Sequence, residues 1–313
     1  MIFSDLKIYS FKYPYMNRRQ FAKRSVIASA FLSAGISPGL SRIMIPPGRN
    51  MKKGIMWSSV GTGTSILEKF QAAANAGFEG VEVMSHMDRN EILKARDITR
   101  LTIPSVCGSM HWKLLLSHPD AKTREEALAA LKVTLEDAAA YGADTVLLVP
   151  GRVNETVSYD DCWNRSIEEI RKIIPMAEKL NVKIAIENVG NNFLLSPLEA
   201  VNYIDQFQSP AIRFYFDCGN ILPTGWPEQW IKILGQRIVK VHIKEYSRKI
   251  ADQQGRSAGF KVKLMEGDVN WGAVMKALDD IGYQGWATIE QSGGETPEGL
   301  KDLCNRLTVI LES

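Results

Sequence analysis

From residue 54 onward, short apolar runs alternate with stretches of helical periodicity, eight times over. The apolar runs at 54–60, 80–84, 103–109, 145–150, 182–188, 212–217, 238–243 and 286–290 are rich in Ile, Val, Leu and Phe and predict strands. Between them the spacing predicts helices over 65–77, 89–99, 122–141, 160–180, 196–207, 227–234 and 271–281, with a last helix over 298–311. Gly142 marks the stop of the long third helix, and the fourth is predicted to continue past Pro175. Strands separated by crossover helices are parallel, and runs apolar on both faces suit a sheet covered on both sides. Eight such units in about 260 residues match the size of a (β/α)8 barrel. A doubly wound open sheet is the alternative, but it needs a phosphate fingerprint. The sequence Gly61-Thr62-Gly63-Thr64-Ser65 lacks the third glycine and the lysine of such loops.

One connection breaks the rhythm. Residues 245–270 separate the seventh strand from its helix, and loops of that length in compact domains serve as lids or binding loops, or are solvated insertions.

Charge adds a second division. The 313 residues carry 38 Lys/Arg against 35 Asp/Glu, a formal net of +3. Residues 1–45 hold seven of the bases and one acid, Asp5, so the remainder carries 31 bases against 34 acids. A mildly acidic body offers no electrostatic footprint for nucleic acid. The basic start contains N-R-R-Q-F-A-K at 17–23, followed by an apolar small-residue run at 25–36 that is too short to span a bilayer. This resembles a twin-arginine export signal. The expectation is therefore a signal and linker over 1–45, a Pro/Gly hinge at Pro46-Pro47-Gly48, and one barrel domain over 46–313. A periplasmic location follows, without stable membrane association after cleavage; a cytosolic basic tail is the alternative. The four cysteines, Cys107, Cys162, Cys218 and Cys304, form no C-x-x-C pair and read as buried thiols.

Candidate chemistry sits at the strand ends. K-I-A-I-E ends in Glu187, R-F-Y-F-D in Asp217, I-V-K-V-H in His242, and W-A-T-I-E in Glu290. A barrel brings the C-terminal ends of its strands to one mouth. Three carboxylates meeting there repel one another unless a cation or protons offset the charge. Three oxygen donors and one imidazole suit a divalent metal; Mn²⁺ is favoured, with Mg²⁺, Co²⁺ and Zn²⁺ also compatible.

The body from about Gly54 resembles the xylose-isomerase-like barrels of the sugar phosphate isomerase/epimerase family. The motifs are I-E-N at 186–188, F-D-C-G-N at 216–220, K-V-H-I-K at 240–244, G-D-V-N-W at 267–271 and I-E-Q at 289–291. That group includes ketose 3-epimerases, xylulose-phosphate 3-epimerases, hydroxypyruvate isomerases and inosose dehydratases. The resemblance implies Glu187, Asp217, His242 and Glu290 as metal ligands, and Arg248 as a contact to substrate oxygens. It also implies an isomerase or epimerase working by proton transfer beside a carbonyl, through a metal-stabilised enediolate. Glu187 and Glu290 would be its proton-transferring pair. The substrate is expected to be a keto sugar or related polyol, and homo-oligomerisation is compatible with the sequence.

Two positions depart from the ketose 3-epimerases: Phe193 stands where a second glutamate is usual, and Asn220 where a histidine is. Phe193 is expected to make that side of the pocket apolar. His111 and Glu82 are candidates for binding substrate hydroxyls, and Trp112 for stacking on a sugar face; each also has a purely structural reading. Lys113, Arg152 and Lys244 read as supporting or surface cations, and His86 and His118 as loop residues. Competing functions are a dehydratase on the same scaffold, a non-catalytic sugar-binding barrel, and a three-zinc DNA-repair endonuclease. The last needs more histidines than the four present.

Overall fold

A computed structural model of the protein describes residues 49–313. The twin-arginine motif and the segment proposed as signal lie outside the described residues. No helix among those described is long and apolar enough to cross a membrane.

Eight parallel strands close into a barrel in chain order, with β8 pairing back to β1. They are β1 (Lys52–Met56), β2 (Gly80–Met84), β3 (Val106–Cys107), β4 (Thr145–Leu148), β5 (Lys183–Glu187), β6 (Ile212–Asp217), β7 (Ile238–Ile243) and β8 (Trp286–Ile289). The crossover helices are α1 (Ile66–Ala76), α2 (Arg89–Thr99), α3 (Ala121–Tyr141), α4 (Tyr159–Leu180), α5 (Pro197–Asp205), α6 (Pro227–Leu234), α7 (Trp271–Asp280) and α8 (Pro297–Glu312). The helix starts are written in the sequence. Ser65 and Ser196 each form a full capping box with a glutamate three residues on, and Asp88, Asp120 and Ser158 cap α2, α3 and α4. α4 runs through Pro175 without a break.

The period-2 alternation of the strands separates two apolar regions. Ile184, Ile186, Phe214, Phe216, Val241, Ile243 and Ile289 pack outward under the helices, in the large core. Met56, Cys107, Leu147, Ala185 and Tyr215 form a small cluster inside the barrel. Glu187 and Asp217 each follow an interior residue by two, and so share its inward face. Two strands differ from expectation. β1 starts at Lys52 and gives way to a 3-10 turn at Trp57–Ser59, and β3 is reduced to two residues. All four cysteines are buried free thiols.

The β6–β7 pairing contains one irregularity. Phe214 pairs with Ile238 but Tyr215 with Lys240, so Val239 is an extra residue on β7. A bulge of this kind re-aims the side chains beyond it. Here it sets Asp217 directly beside His242.

The long β7–α7 connection is not a loose lid. It contains a helix at Arg248–Gln254 and a 3-10 segment at Arg256–Lys261. It is fixed at its base by Glu245, whose side chain is buried. That carboxylate accepts from the backbone N–H groups of Tyr246 (3.1 Å), Met265 (3.0 Å) and Val269 (3.0 Å), and from Trp271 Nε1 (2.9 Å). Gln291, just beyond β8, accepts from Glu245 N and donates to the carbonyls of Phe260 and Val262. Gly267 is required by this wrap: a Cβ there would stand 2.5 Å from the Tyr246 carbonyl oxygen and 2.6 Å from Glu245 Oε1. The motifs G-D-V-N-W and I-E-Q thus serve, in part, to hold the connection against the barrel.

Candidate metal centre and active site

Glu187, Asp217, His242 and Glu290 come together at the C-terminal mouth. Each offers one donor atom, and these four atoms lie within 4.8 Å of one another. His242 Nδ1 faces the cluster, 2.9 Å from Glu187 Oε1, 3.1 Å from Glu290 Oε2 and 3.9 Å from Asp217 Oδ2. The first three residues are buried, and the Glu290 side chain keeps 25% of its surface exposed, toward the mouth.

The loops hold these side chains in place. Asn188 donates from Nδ2 to the Asp217 carbonyl (2.8 Å) and accepts from Asp217 N–H (2.9 Å), tying the ends of β5 and β6 together. Asn220 donates its backbone N–H to Asp217 Oδ1 (2.8 Å) and its Nδ2 to the Asn188 carbonyl (3.0 Å). Asn220 is therefore a brace between the two loops.

Asp217 Oδ2 is buried and accepts no hydrogen bond. Lys244 Nζ lies 3.2 Å from it, close enough for charge attraction but without hydrogen-bond alignment. A buried, ionisable oxygen left open among two other carboxylates and an imidazole is the donor chemistry of a divalent cation site. The residues fit such an ion.

The electrostatics are those of closely packed charges. Burial pushes the Glu187 carboxyl up to about 7, with Glu290 and Asp217 adding to the rise and His242 opposing it. Burial likewise raises Asp217 to about 6, against the pull of Lys244. For Glu290 burial is outweighed by Lys244 and His242, which hold it well below the usual carboxylate range. Burial disfavours the charged imidazole of His242, but Glu82, Glu290 and Glu187 together raise it well above its ordinary value.

Three of the candidate residues have their partners within the fold. Glu82, a candidate for substrate hydroxyls with a structural reading beside it, is fully buried beneath the cluster. Its Oε1 accepts from His242 Nε2 at 2.9 Å, and its Oε2 from Tyr215 Oη at 2.5 Å and from Ser105 Oγ. Arg248, a candidate for substrate oxygens, donates to the carbonyls of Leu222 (3.0 Å) and Gly225 (2.7 Å), and its guanidinium lies 5.2 Å from the Trp226 ring. Phe193 does not line the mouth but packs among Tyr159, Trp163 and Tyr203.

The remaining candidates are spread along the β3–α3 connection. His111 is buried; its Nδ1 accepts from Val149 N–H at 3.2 Å, and burial lowers its pKa to about 4. Among the described residues it makes no hydrogen bond to the cluster. Trp112, edge-on to His111 at 5.8 Å, exposes 49% of its surface. Lys244 was read as a supporting cation, and the structure puts its ammonium against the cluster, 2.9 Å from Glu290 Oε2. Its K-V-H-I-K spacing was the available signal, two residues past His242 and so on the same face. A separate cavity of about 540 Å³ lies at the opposite end, among Lys52, Asp144, Lys183, Lys240 and Trp286 at the strand starts. In a barrel that end contributes stability rather than chemistry.

The profile of the xylose isomerase-like TIM barrel family matches residues 70–308. The chain belongs to this family. Among curated proteins it is similar to the L-ribulose-5-phosphate 3-epimerase UlaE of Escherichia coli O1:K1 / APEC. The two are 25% identical over 254 residues, which cover 76% of this chain and 86% of that protein. Among solved structures it resembles a D-tagatose 3-epimerase-like protein (20% identity, TM-score 0.70, covering 84% of this chain and 99% of that one). It also resembles the 3-keto-D-glucoside 4-epimerase YcjR from E. coli in its apo form (18% identity, TM-score 0.70, covering 84% and 100%). At these identities the solved structures speak for the shared fold.

Proposed function

We propose that this protein is a divalent-metal-dependent epimerase or isomerase of a keto sugar. The observation that carries the reading is the convergence of Glu187, Asp217, His242 and Glu290 within 4.8 Å. The similarity to a sugar epimerase named for a ribulose phosphate supports it from outside the site. When bound there, a divalent cation supplies Lewis acidity to a carbonyl and its neighbouring hydroxyl. Mn²⁺ is the proposed ion.

The chain's own residues then divide the work. Asp217 and His242 are braced, by Asn188, Asn220 and Glu82, and act as fixed donors. Glu187 and Glu290 arise from strands three places apart in the barrel, a placement that suits approach to a substrate carbon from two sides. One carboxylate removes the proton next to the carbonyl, leaving an enediolate. The other, already protonated, gives its proton to the opposite face and inverts that centre; exchange with solvent then restores the two glutamates to their starting states. The substrate's configuration decides which glutamate takes which part.

The Asn220 brace, and the packing of Phe193 away from the mouth where a second glutamate is usual, depart from the ketose 3-epimerase pattern and favour a substrate other than a free ketose. Export through the twin-arginine route belongs to the same reading, and a sugar without phosphate fits it. Cell fractionation of the wild type and of the double substitution Arg18→Lys, Arg19→Lys tests the export; equal distribution of the two would remove it.

The central test is incubation with Mn²⁺ in D₂O with a panel of ketoses and 3-keto-glycosides, followed by NMR. Deuterium entering beside the carbonyl without loss of water supports the epimerase reading. Loss of water assigns a dehydratase instead, and no exchange with any sugar leaves a binding barrel.

A further inference from the structure

Lys244 follows His242 by two residues and continues its inward alternation one step nearer the mouth. Its Nζ lies 2.9 Å from Glu290 Oε2 and 3.2 Å from Asp217 Oδ2. The side chain is seated between the turn after β6 and an aromatic ring. A Cβ added at Gly219 would stand 2.8 Å from Lys244 Cγ, so the glycine of F-D-C-G-N lets the stem lie on the turn after β6. On the other side the Phe260 ring of the β7–α7 connection lies 5.6 Å from the ammonium. The guanidinium of Arg248 is engaged by two backbone carbonyls and Trp226. Lys244 is therefore the lysine or arginine in contact with the cluster among the described residues.

Asp217 and Glu290 are also two of the four residues that would hold a divalent ion. An ammonium and a divalent cation attached to the same two carboxylates repel each other strongly at this range. A lysine stem has four rotatable carbons and can relocate its charge without moving the backbone.

We propose that Lys244 is a substrate-binding residue that gives up Asp217 to the divalent ion and turns its ammonium to an oxygen of the bound keto sugar beside Glu290. This rests on the epimerase reading of the site. The group it recognises is a hydroxyl or carbonyl oxygen flanking the carbon that exchanges its proton. Its presence makes the ion and the ammonium competitors in the free protein and partners once substrate is bound.

Full-length Lys244→Met, Lys244→Gln and Lys244→Arg proteins test this, with thermal melts to confirm folding. Calorimetric titration with Mn²⁺ alone should show roughly tenfold tighter binding to the Met and Gln variants, since one repelling charge is gone. With a sugar that exchanges in D₂O, KM should rise roughly ten- to a hundredfold in these variants, for loss of a charged hydrogen bond, while kcat falls less. Lys244→Arg should recover part of the KM. Unchanged or weaker Mn²⁺ binding to Lys244→Met and Lys244→Gln would overturn the competition, and tighter Mn²⁺ binding with unchanged KM would overturn the substrate contact. If the wild type exchanges no sugar, the epimerase reading fails and the substrate contact with it. The Mn²⁺ titration still decides the competition in that case.

Discussion

His242 Nε2 lies 2.9 Å from Glu82 Oε1, at the centre of the barrel and out of reach of solvent. A hydrogen bond from Nε2 to the carboxylate leaves Nδ1 turned toward Glu187, Asp217 and Glu290. Glu82 therefore determines which ring nitrogen is available to the cluster, an arrangement that raises ligand basicity and fixes ring orientation.

Replacing Glu82 by Gln should weaken Mn²⁺ binding roughly ten- to a hundredfold while the barrel still folds, because an amide keeps an acceptor but loses the charge. Calorimetry on the purified variant checks this. Glu82→Ala should be worse for stability, since His242, Tyr215 and Ser105 all lose their buried partner. The expected loss is about 2–4 kcal/mol in denaturant unfolding.

Glu290→Gln separates catalysis from binding. Its carboxylate is the most exposed of the four and is kept ionised by Lys244 and His242, the state a proton acceptor needs. Solvent exchange should fall by roughly 10²–10⁴, whereas keto-sugar binding measured by calorimetry should persist. Retained exchange would remove Glu290 from the proton-transferring pair.

The barrel and the four strand-end residues were legible because an apolar strand gains nothing from ending in a carboxylate, and because inward residues recur with period 2. The depth of a residue was not legible. Strands in a closed barrel are tilted and staggered, so equal positions along two strands stand at different heights. Glu82 pairs with Met56 of the interior cluster and sits under the His242 ring, bonded to its Nε2. The contacts of Arg248 and Phe193 were not legible for a related reason. Their spacing from a metal ligand is a family pattern, whereas their contacts depend on loops whose path no local pattern encodes. The bulge at Val239 and the reach of Lys244 are likewise products of packing between strands.

Glu245→Ala tests whether the β7–α7 connection is an anchored element. The substitution leaves four donors without their acceptor, among them Trp271 Nε1. A loss of about 2–4 kcal/mol is expected, accompanied by new protease cleavage between residues 248 and 266. Unchanged proteolysis would show that Gln291 alone suffices to hold the connection.

His111 should make the protein sensitive to mild acid. Burial lowers its pKa to about 4, whereas an exposed histidine in the unfolded chain titrates near ~6.5. Between those values the unfolded state binds more protons than the folded state, so stability rises with pH. The contribution is fully present above ~6.5 and is lost as pH falls toward 4, an effect of about 2–3 kcal/mol. The raised carboxyls of Glu187 and Asp217 act in the opposite sense, gaining stability as pH falls. Comparison with His111→Gln therefore isolates the histidine. Unfolding midpoints in urea at pH 7.5 and 4.5 should differ more for the wild type than for the variant, because only the wild type must either charge this ring or keep it neutral at a cost. Equal differences would mean that the ring accepts its proton in place, and that the Val149 N–H yields when it does.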